Sequence, residues 1–244
     1  MSRETSRKTT PRRLSGAWLA LGFLGLAALA GAWGWQRLSD PALMPVRQVA
    51  IHGRVRHVDV KALQKALAEV TRAGFFGVDL AEVQRIVQAR PWVAAARVRR
   101  VWPDRLVVEI REQRPVARWG RRGLVNERGE VFEPAKKVRL ALPVTFEGPR
   151  GAAGRMLAFY RQVAPAFEKL GLKVQKVRLD PRGEWRLGLS GGLEVVAGRE
   201  RMKARIRRLV AVWPLLAEPA RRPQRIDLRY EQGFAVRWRP EEQS

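Results

Sequence analysis

Residues 74–112 read GFFGVDLAEVQRIVQARPWVAAARVRRVWPDRLVVEIRE. Two periodicities meet in this stretch. Leu80, Val83, Ile86 and Val87 recur at helical spacing, and Asp79 stands where an N-cap accepts a first-turn N–H. Pro91 marks the end of that helix. Val93–Val101 reads as a strand, followed by a Trp102-Pro103-Asp104 turn. Leu106, Val108 and Ile110 then alternate with Val107, Glu109 and Arg111, which puts an apolar face opposite a mostly polar one. Trp92 and Trp102 are expected to cover the ends of the resulting small core, each indole N–H needing a partner. Pro91 and Pro103 fix turns at the strand entrances.

The sequence just before it completes the unit. Val49 and Ile51 alternate with polar neighbours, and Gly53 ends that short strand. Asp59 is placed to cap a helix carrying Val60, Leu63, Leu67 and Val70, which Gly74 stops. From Val46 to Glu112 the order is therefore β-α-α-β-β: two helices packed on one face of a small sheet. The domain is assigned to residues 46–114.

Further upstream, Gly16 to Trp35 reads GAWLALGFLGLAALAGAWGW, twenty residues without a charge. At a rise of about 1.5 Å per residue they span roughly 30 Å, the hydrocarbon thickness of a bilayer. Trp18, Trp33 and Trp35 lie toward the ends, where amphipathic rings favour the headgroup layer. A transmembrane helix is expected over 16–36, with a tail at 1–15 and a linker at 37–45. The other reading is a cleavable signal peptide. Ala28-Leu29-Ala30 resembles a cleavage site, but the apolar run continues past it and favours an uncleaved anchor. The tail carries Arg3, Arg7, Lys8, Arg12 and Arg13 against Glu4, which places the N-terminus in the cytoplasm and about 200 residues outside.

The net charge is +25, and 39 of the 48 basic residues are Arg. A balance this basic suggests nucleic acid. Here the charges are spread along the chain, and an exterior location removes nucleic acid as a partner. Attraction to anionic lipid surfaces and acidic partners remains. The chain has no cysteine, so an exported domain must rely on its cores alone. His52 and His57 are the only histidines and read as surface residues rather than metal ligands.

A second domain is expected over 115–240, with a tail at 241–244. Short strands are expected at 116–119, 124–126, 131–132 and 144–146. A helix follows over 153–170, bent by Pro165. Strands at 174–179, 185–189 and 193–196, a helix over 200–216, and final strands at 225–230 and 234–239 complete it. Ser190-Gly191-Gly192 reads as a hairpin turn. Because the turns are short, the sheet is expected to be mixed and mostly antiparallel. The fold class is thus α+β: one membrane helix, a β-α-α-β-β domain, and a β domain with two helices.

For catalysis the sequence offers little. G-x-S-x-G, H-E-x-x-H and P-loop patterns are absent from it. Its carboxylates mostly neighbour Arg, as in Arg111-Glu112 and Asp227-Leu228-Arg229, which reads as surface ion pairing.

In order along the chain, several pieces resemble one family: Gly74–Leu80, Pro91-Trp92-Val93, Ala96–Leu106, Val107–Glu112 and Pro115–Trp119. Gly198-Arg199 with Met202, Ile226–Tyr230, and Gly233–Trp238 extend the match. Together they resemble the FtsQ (DivIB) family of bacterial cell-division proteins, whose membrane-proximal unit is a POTRA domain. Residues 135–170 match least. The resemblance implies a non-enzymatic divisome scaffold without cofactor or metal. It implies a location in the inner membrane, enriched at the septum, with the bulk in the periplasm. It implies partners FtsB and FtsL at the C-terminal domain, and division proteins of the FtsK, FtsW and FtsI class through the POTRA domain and transmembrane helix. Membrane lipid is a further partner.

The terminal hairpin is the candidate site. Tyr230 and Trp238 are expected on the last two strands. If the last strand is an edge, a partner segment can add to it. Read without the family, the two aromatics fit a core or a binding surface equally. The resemblance favours the surface, since FtsB docks in this region of FtsQ proteins. The implied contacts are Tyr230, Gly233, Phe234 and Trp238, with Arg229 and Arg182 for ion pairs to an acidic segment. Two rival classes remain: a POTRA-bearing export or outer-membrane assembly factor, and a membrane-bound cell-wall enzyme. The first needs a barrel or tandem POTRA copies and the second a convergent catalytic set, and the sequence displays neither.

Overall fold

The computed structural model describes residues 15–38, 42–136, 138–216 and 222–239. They fall into two compact units. One gathers the described residues up to Ala89 together with Ala95–Ile110; the other takes Arg90–Ala94 and Arg111 onward. The tails expected over 1–15 and 241–244 lie outside the described residues, save the backbone of Ser15.

Helix α1 (Ser15–Leu38) covers the apolar segment in one continuous run of 24 residues. Leu21, Phe23, Leu24, Leu26, Leu29 and Trp33 are all exposed on it. Arg37 sits over the Trp33 ring, 5.1 Å from its centroid, a cation–π contact at the helix end. Among the described residues no helix is long and apolar enough to cross a membrane. The side chains of residues 15–20, 35, 36 and 38, which the expected span includes or borders, lie outside the described residues.

The first unit contains β1 (Gln48–His52), α2 (Val60–Thr71), α3 (Gly74–Gly77), α4 (Leu80–Gln88) and most of β2 (Val93–Val101) and β3 (Arg105–Glu112), whose residues Val93, Ala94, Arg111 and Glu112 count with the second. The sheet order is β1-β3-β2, with β1 parallel to β3. A parallel pair needs a crossover, and the helices with β2 provide it. Both helix caps form as the sequence predicts: Asp59 accepts from the Ala62 N–H at 3.0 Å and Asp79 from that of Ala81 at 2.8 Å. α2 packs on α4. Leu63, Leu67, Val83 and Val87 on the helices, and Leu106, Val108 and Ile110 on β3, are buried. Val107, expected on the polar face, is buried too; β3 is the central strand, flanked on both edges. Gly53 ends β1 at φ +131°, where a Cβ would stand 2.1 Å from the Ile110 carbonyl oxygen.

Two details of this unit differ from expectation. Between α2 and α4 the chain makes an extra helical turn, α3. Arg100 on β2 pins it, donating through Nε to the Phe75 carbonyl at 2.8 Å and through Nη2 to that of Val78 at 2.6 Å. Trp102 does not cover the core. It lies in the β2–β3 turn, past the end of the sheet, and is 74% exposed. Trp92 is buried, but its ring packs edge-on against Phe132 at 5.2 Å, within the second unit.

The second unit contains β4 (Pro115–Trp119), β5 (Gly123–Asn126), β6 (Val131–Phe132), β7 (Thr145–Glu147), α5 (Ala153–Glu168), β8 (Val174–Leu179), β9 (Trp185–Leu189), β10 (Glu194–Gly198), α6 (Met202–Leu216), β11 (Pro223–Asp227) and β12 (Ala235–Trp238). The strands form one sheet in the order β12-β11-β10-β9-β8-β7-β4-β5-β6. Five of its eight pairings are antiparallel and three parallel, so the sheet is mixed and mostly antiparallel. The parallel pairs follow from the crossovers: α5 joins β7 to β8, and α6 joins β10 to β11. α5 continues through Pro165 to Glu168. Phe146, Met156, Phe167, Leu187, Leu209, Ile226 and Leu228 are fully buried in the shared core.

Candidate partner-binding site

β12 stands last in the sheet order, and among the described residues it pairs with β11 alone. It is antiparallel to β11, with Ala235 opposite Asp227 and Val236 opposite Ile226. A strand so placed has one row of backbone N–H and C=O groups turned away from its sheet. Its four residues offer a partner about 13 Å of ladder at the usual rise.

Exposure alternates along β12. Ala235 and Arg237 are exposed, while Val236 and Trp238 are half-buried. Val236 and Phe234 pack against the core. Trp238 therefore shares the inner face with Val236 at the end of the strand, part anchored and part open. Tyr230 is 58% exposed and does not belong to the core. It is also not on a strand: β11 ends at Asp227, and Tyr230 lies in the connection to β12. The reason is the ladder itself. Val196 of β10 is the last β10 residue paired with β11, opposite Asp227, and on the other side Ala235 begins β12 opposite that same residue.

That connection is clamped from below. Arg208 on α6 donates to the carbonyls of Tyr230 at 3.2 Å, Glu231 at 2.8 Å and Gly233 at 3.0 Å. Gly233 has open space where a side chain would begin, with nothing within 4 Å of the position a Cβ would take. Arg208 is a positioning residue that the sequence does not reveal, for it stands beside Arg207 with no local mark to separate them.

Arg229 is not a free cation. It pairs with Asp227 at 2.6 Å and with Glu184 at 3.2 Å. These carboxylates hold its guanidinium above its ordinary range, Asp227 most strongly. Burial pushes the Asp227 carboxyl up, but the hydrogen bonds from the Arg229 side chain and backbone, with the charges of Arg229 and Arg225, outweigh it and hold it below its usual value. Glu184 also accepts from Arg186 Nε at 2.7 Å. Arg182 lies two residues before Glu184, exposed in the β8–β9 turn that Asp180 closes on the Glu184 N–H at 2.8 Å. The Arg229–Glu184 bridge ties the start of the β11–β12 connection to the β8–β9 turn that carries Arg182, at the same end of the sheet, while Trp238 lies at the other end of β12. Both histidines of the first unit are exposed.

An edge strand ending in Trp238, with Tyr230 and Arg229 in the connection that leads to it, follows a small β-α-α-β-β unit in the chain and defines a class: a POTRA-bearing protein with a strand-presenting β domain. Comparison with known proteins gives the family. Residues 44–113 match the POTRA domain of FtsQ type, and residues 117–229 match the C-terminal region of cell division protein FtsQ/DivIB. Among curated relatives, the cell division protein FtsQ of Allochromatium vinosum is 40% identical over 222 residues, covering 90% of this chain and 88% of the relative. That of Shewanella oneidensis is 36% identical over 225 residues, covering 91% and 86%. That of Xanthomonas campestris pv. campestris is 34% identical over 226 residues, covering 92% and 80%. The chain belongs to the FtsQ/DivIB family of cell division proteins.

Proposed function

We propose that the protein is a non-enzymatic divisome scaffold which recruits the FtsB/FtsL complex by strand addition to β12. The observation that carries the reading is the place of β12 at the end of the sheet, with Trp238 and Tyr230 flanking it. A segment of FtsB adds as a tenth strand. Main-chain hydrogen bonds supply affinity, and Trp238 and Tyr230 supply anchors. Phe234 and Gly233 shape the approach, and Arg182 attracts acidic residues of the incoming segment more freely than Arg229, whose charge is already shared.

The remaining architecture serves this contact. Residues 16–36 cross the inner membrane once, leaving residues 1–15 in the cytoplasm and the domains over 46–114 and 115–240 in the periplasm. The POTRA domain and the membrane helix meet other division proteins, of the FtsK, FtsW and FtsI class, at the septum. No nucleic acid takes part. The match of residues 117–229 to the FtsQ/DivIB C-terminal region weighs against an export or outer-membrane assembly role.

The test is Trp238→Ala in the full-length protein, with FtsB binding measured by calorimetry and folding checked by circular dichroism. Truncating an aromatic anchor of this kind is expected to cost about 2 kcal/mol or more in binding. Unchanged affinity in a folded variant overturns the reading.

A further inference from the structure

We propose that the end of the first unit where the chain arrives from α1 is a lipid-docking surface, occupied by the phospholipid headgroups of the membrane that α1 crosses. The inference rests on reading residues 16–36 as a membrane span.

Three segments converge at this end. The Met44 carbonyl accepts from the Phe75 N–H at 2.8 Å, and the Asp104 carbonyl accepts from the Arg47 N–H at 2.9 Å. Arg100 ties Phe75, Phe76 and Val78 to the end of β2, and Gln48 opposite Arg105 opens the β1–β3 ladder. Apart from α1, the exposed large apolar residues of this unit, among the described residues, are Leu43 at 55%, Phe76 at 39% and Trp102 at 74%. All three belong to these converging segments. A random scatter of exposed apolar groups would not collect at one end of the sheet, and this is the end that the linker reaches.

Charge fits the same occupant. Arg47, Arg72 and Arg105 are exposed around the apolar group. The acids nearby are Asp104, 3.9 Å from Arg47, Glu69, 3.4 Å from Arg72, and Asp79, the cap of α4; with Arg100 the four arginines exceed these three acids by one charge. Trp and Phe with flanking Arg is the composition of an interfacial anchor, rings at the acyl boundary and guanidinium groups among phosphates. Linker length then decides between lipid and a soluble partner. Nine residues, Ser39–Arg47, separate α1 from β1. Fully extended they reach about 30 Å, so this end is held within a short reach of the headgroups at a high effective concentration. Weak interfacial affinity therefore suffices to dock it.

The chain contains no cysteine, so single-cysteine nitroxide labels can be placed on the full-length protein without background. The protein is reconstituted in vesicles of phosphatidylethanolamine and phosphatidylglycerol. Labels at Leu43→Cys, Trp102→Cys, His57→Cys and Leu24→Cys are compared for collision with oxygen and with a water-soluble nickel chelate. His57 follows β1 at its far end and serves as the aqueous reference. The expected result is an oxygen-to-nickel ratio at 43 and 102 several-fold above that at 57, falling when the vesicles are made of phosphatidylcholine alone. Trp102→Ala should also return the label at 43 toward the aqueous value. If 43 and 102 match 57 while 24 reads as buried in the bilayer, the docking surface is overturned and the span stands. If 24 itself is aqueous, the span reading fails and the docking surface falls with it.

Discussion

Arg208 donates a hydrogen bond to the Gly233 carbonyl at 3.0 Å, and the same guanidinium also holds the carbonyls of Tyr230 and Glu231. One side chain on α6 thus fixes the geometry of the loop that delivers β12 to the sheet edge. The strand is only four residues long and has a ladder on one side, so its local stability depends on how it is held at its ends. Arg208→Ala should lower global stability by about 1–2 kcal/mol, because the freed carbonyls are partly open to water. Its larger effect should be local. Amides of Ala235–Trp238 should exchange with deuterium about tenfold faster or more, the equivalent of about 1.4 kcal/mol of local opening, while β9 and β10 amides stay slow. Uniform acceleration across the sheet would contradict the clamp.

How much of this is legible in the sequence depends on whether the signal is local. Asp59 and Asp79 announce their helices because an N-cap acts on its own first turn, and both caps form. Val93–Val101 is readable to the residue, since Pro91 before it and the Trp102-Pro103-Asp104 turn after it bound the segment locally. The sequence puts Tyr230 on a strand because Ile226 and Leu228 alternate toward it, and both are indeed buried. The alternation outlasts the ladder, however, and partners decide where a strand ends. Residue type alone assigns Trp102 to the core, and only the position of its turn beyond the sheet explains its exposure. The parallel neighbours of β7 leave no mark in the sequence, because crossovers set them. At the candidate site, aromatics, basic residues and the Asp227–Arg229 pair are visible, but Glu184 as the second carboxylate on Arg229 and the helix residue that holds the loop become apparent only through contacts 22–45 positions away in sequence.

Asn126 should be a stability hot spot of the second unit. It is buried, and its amide meets four partners. Nδ2 donates to Gln113 at 2.9 Å and Glu130 at 2.8 Å, and Oδ1 accepts from the backbone N–H groups of Arg128 and Glu130, both at 2.9 Å. Asn126→Leu leaves those partners without their bonds in a covered site and should cost about 2–4 kcal/mol, read as a lower urea midpoint at unchanged slope. Asn126→Asp keeps the two accepted bonds but turns a carboxylate oxygen toward Glu130. It should be destabilised at neutral pH and regain stability as the pH falls and one of the two acids takes a proton.

Asp227 should contribute to acid sensitivity. Burial raises its pKa, but hydrogen bonds from Arg229 and the nearby arginine charges lower it further, so the folded value lies below the unfolded one. A carboxylate shifted in that direction stabilises the fold above its unfolded pKa, and the contribution disappears as pH drops through the folded value. Asp227→Asn should therefore melt below the parent protein at pH 7. The gap should begin to narrow below about pH 4, the ordinary aspartate range, and go on narrowing as the pH falls through the lower folded value and the parent aspartate becomes neutral. A gap that holds constant down to pH 2.5, roughly a unit or more below the ordinary carboxylate range, would assign the loss to shape rather than charge.

Gly129 has the most demanding backbone position in the β5–β6 turn. Its φ is +80°, and a Cβ built there would stand 2.5 Å from the Gly154 Cα, at the start of α5. That neighbour is backbone and cannot swing aside like the end of a side chain. Two costs therefore add in Gly129→Ala: the left-handed conformation, about 1 kcal/mol or more, and displacement of either the turn or the first turn of α5. The expected loss is about 3 kcal/mol, measured by urea unfolding, with the Asn126 hydrogen bonds weakened because the same turn carries them. Gly151→Ala is the comparison, since it shares a positive φ of +82° but has nothing within 4 Å of its Cβ. It should lose only the conformational part, about 1 kcal/mol. Equal losses for the two variants would mean that close approach to Gly154 contributes nothing, and that the turn accommodates a methyl group by moving freely.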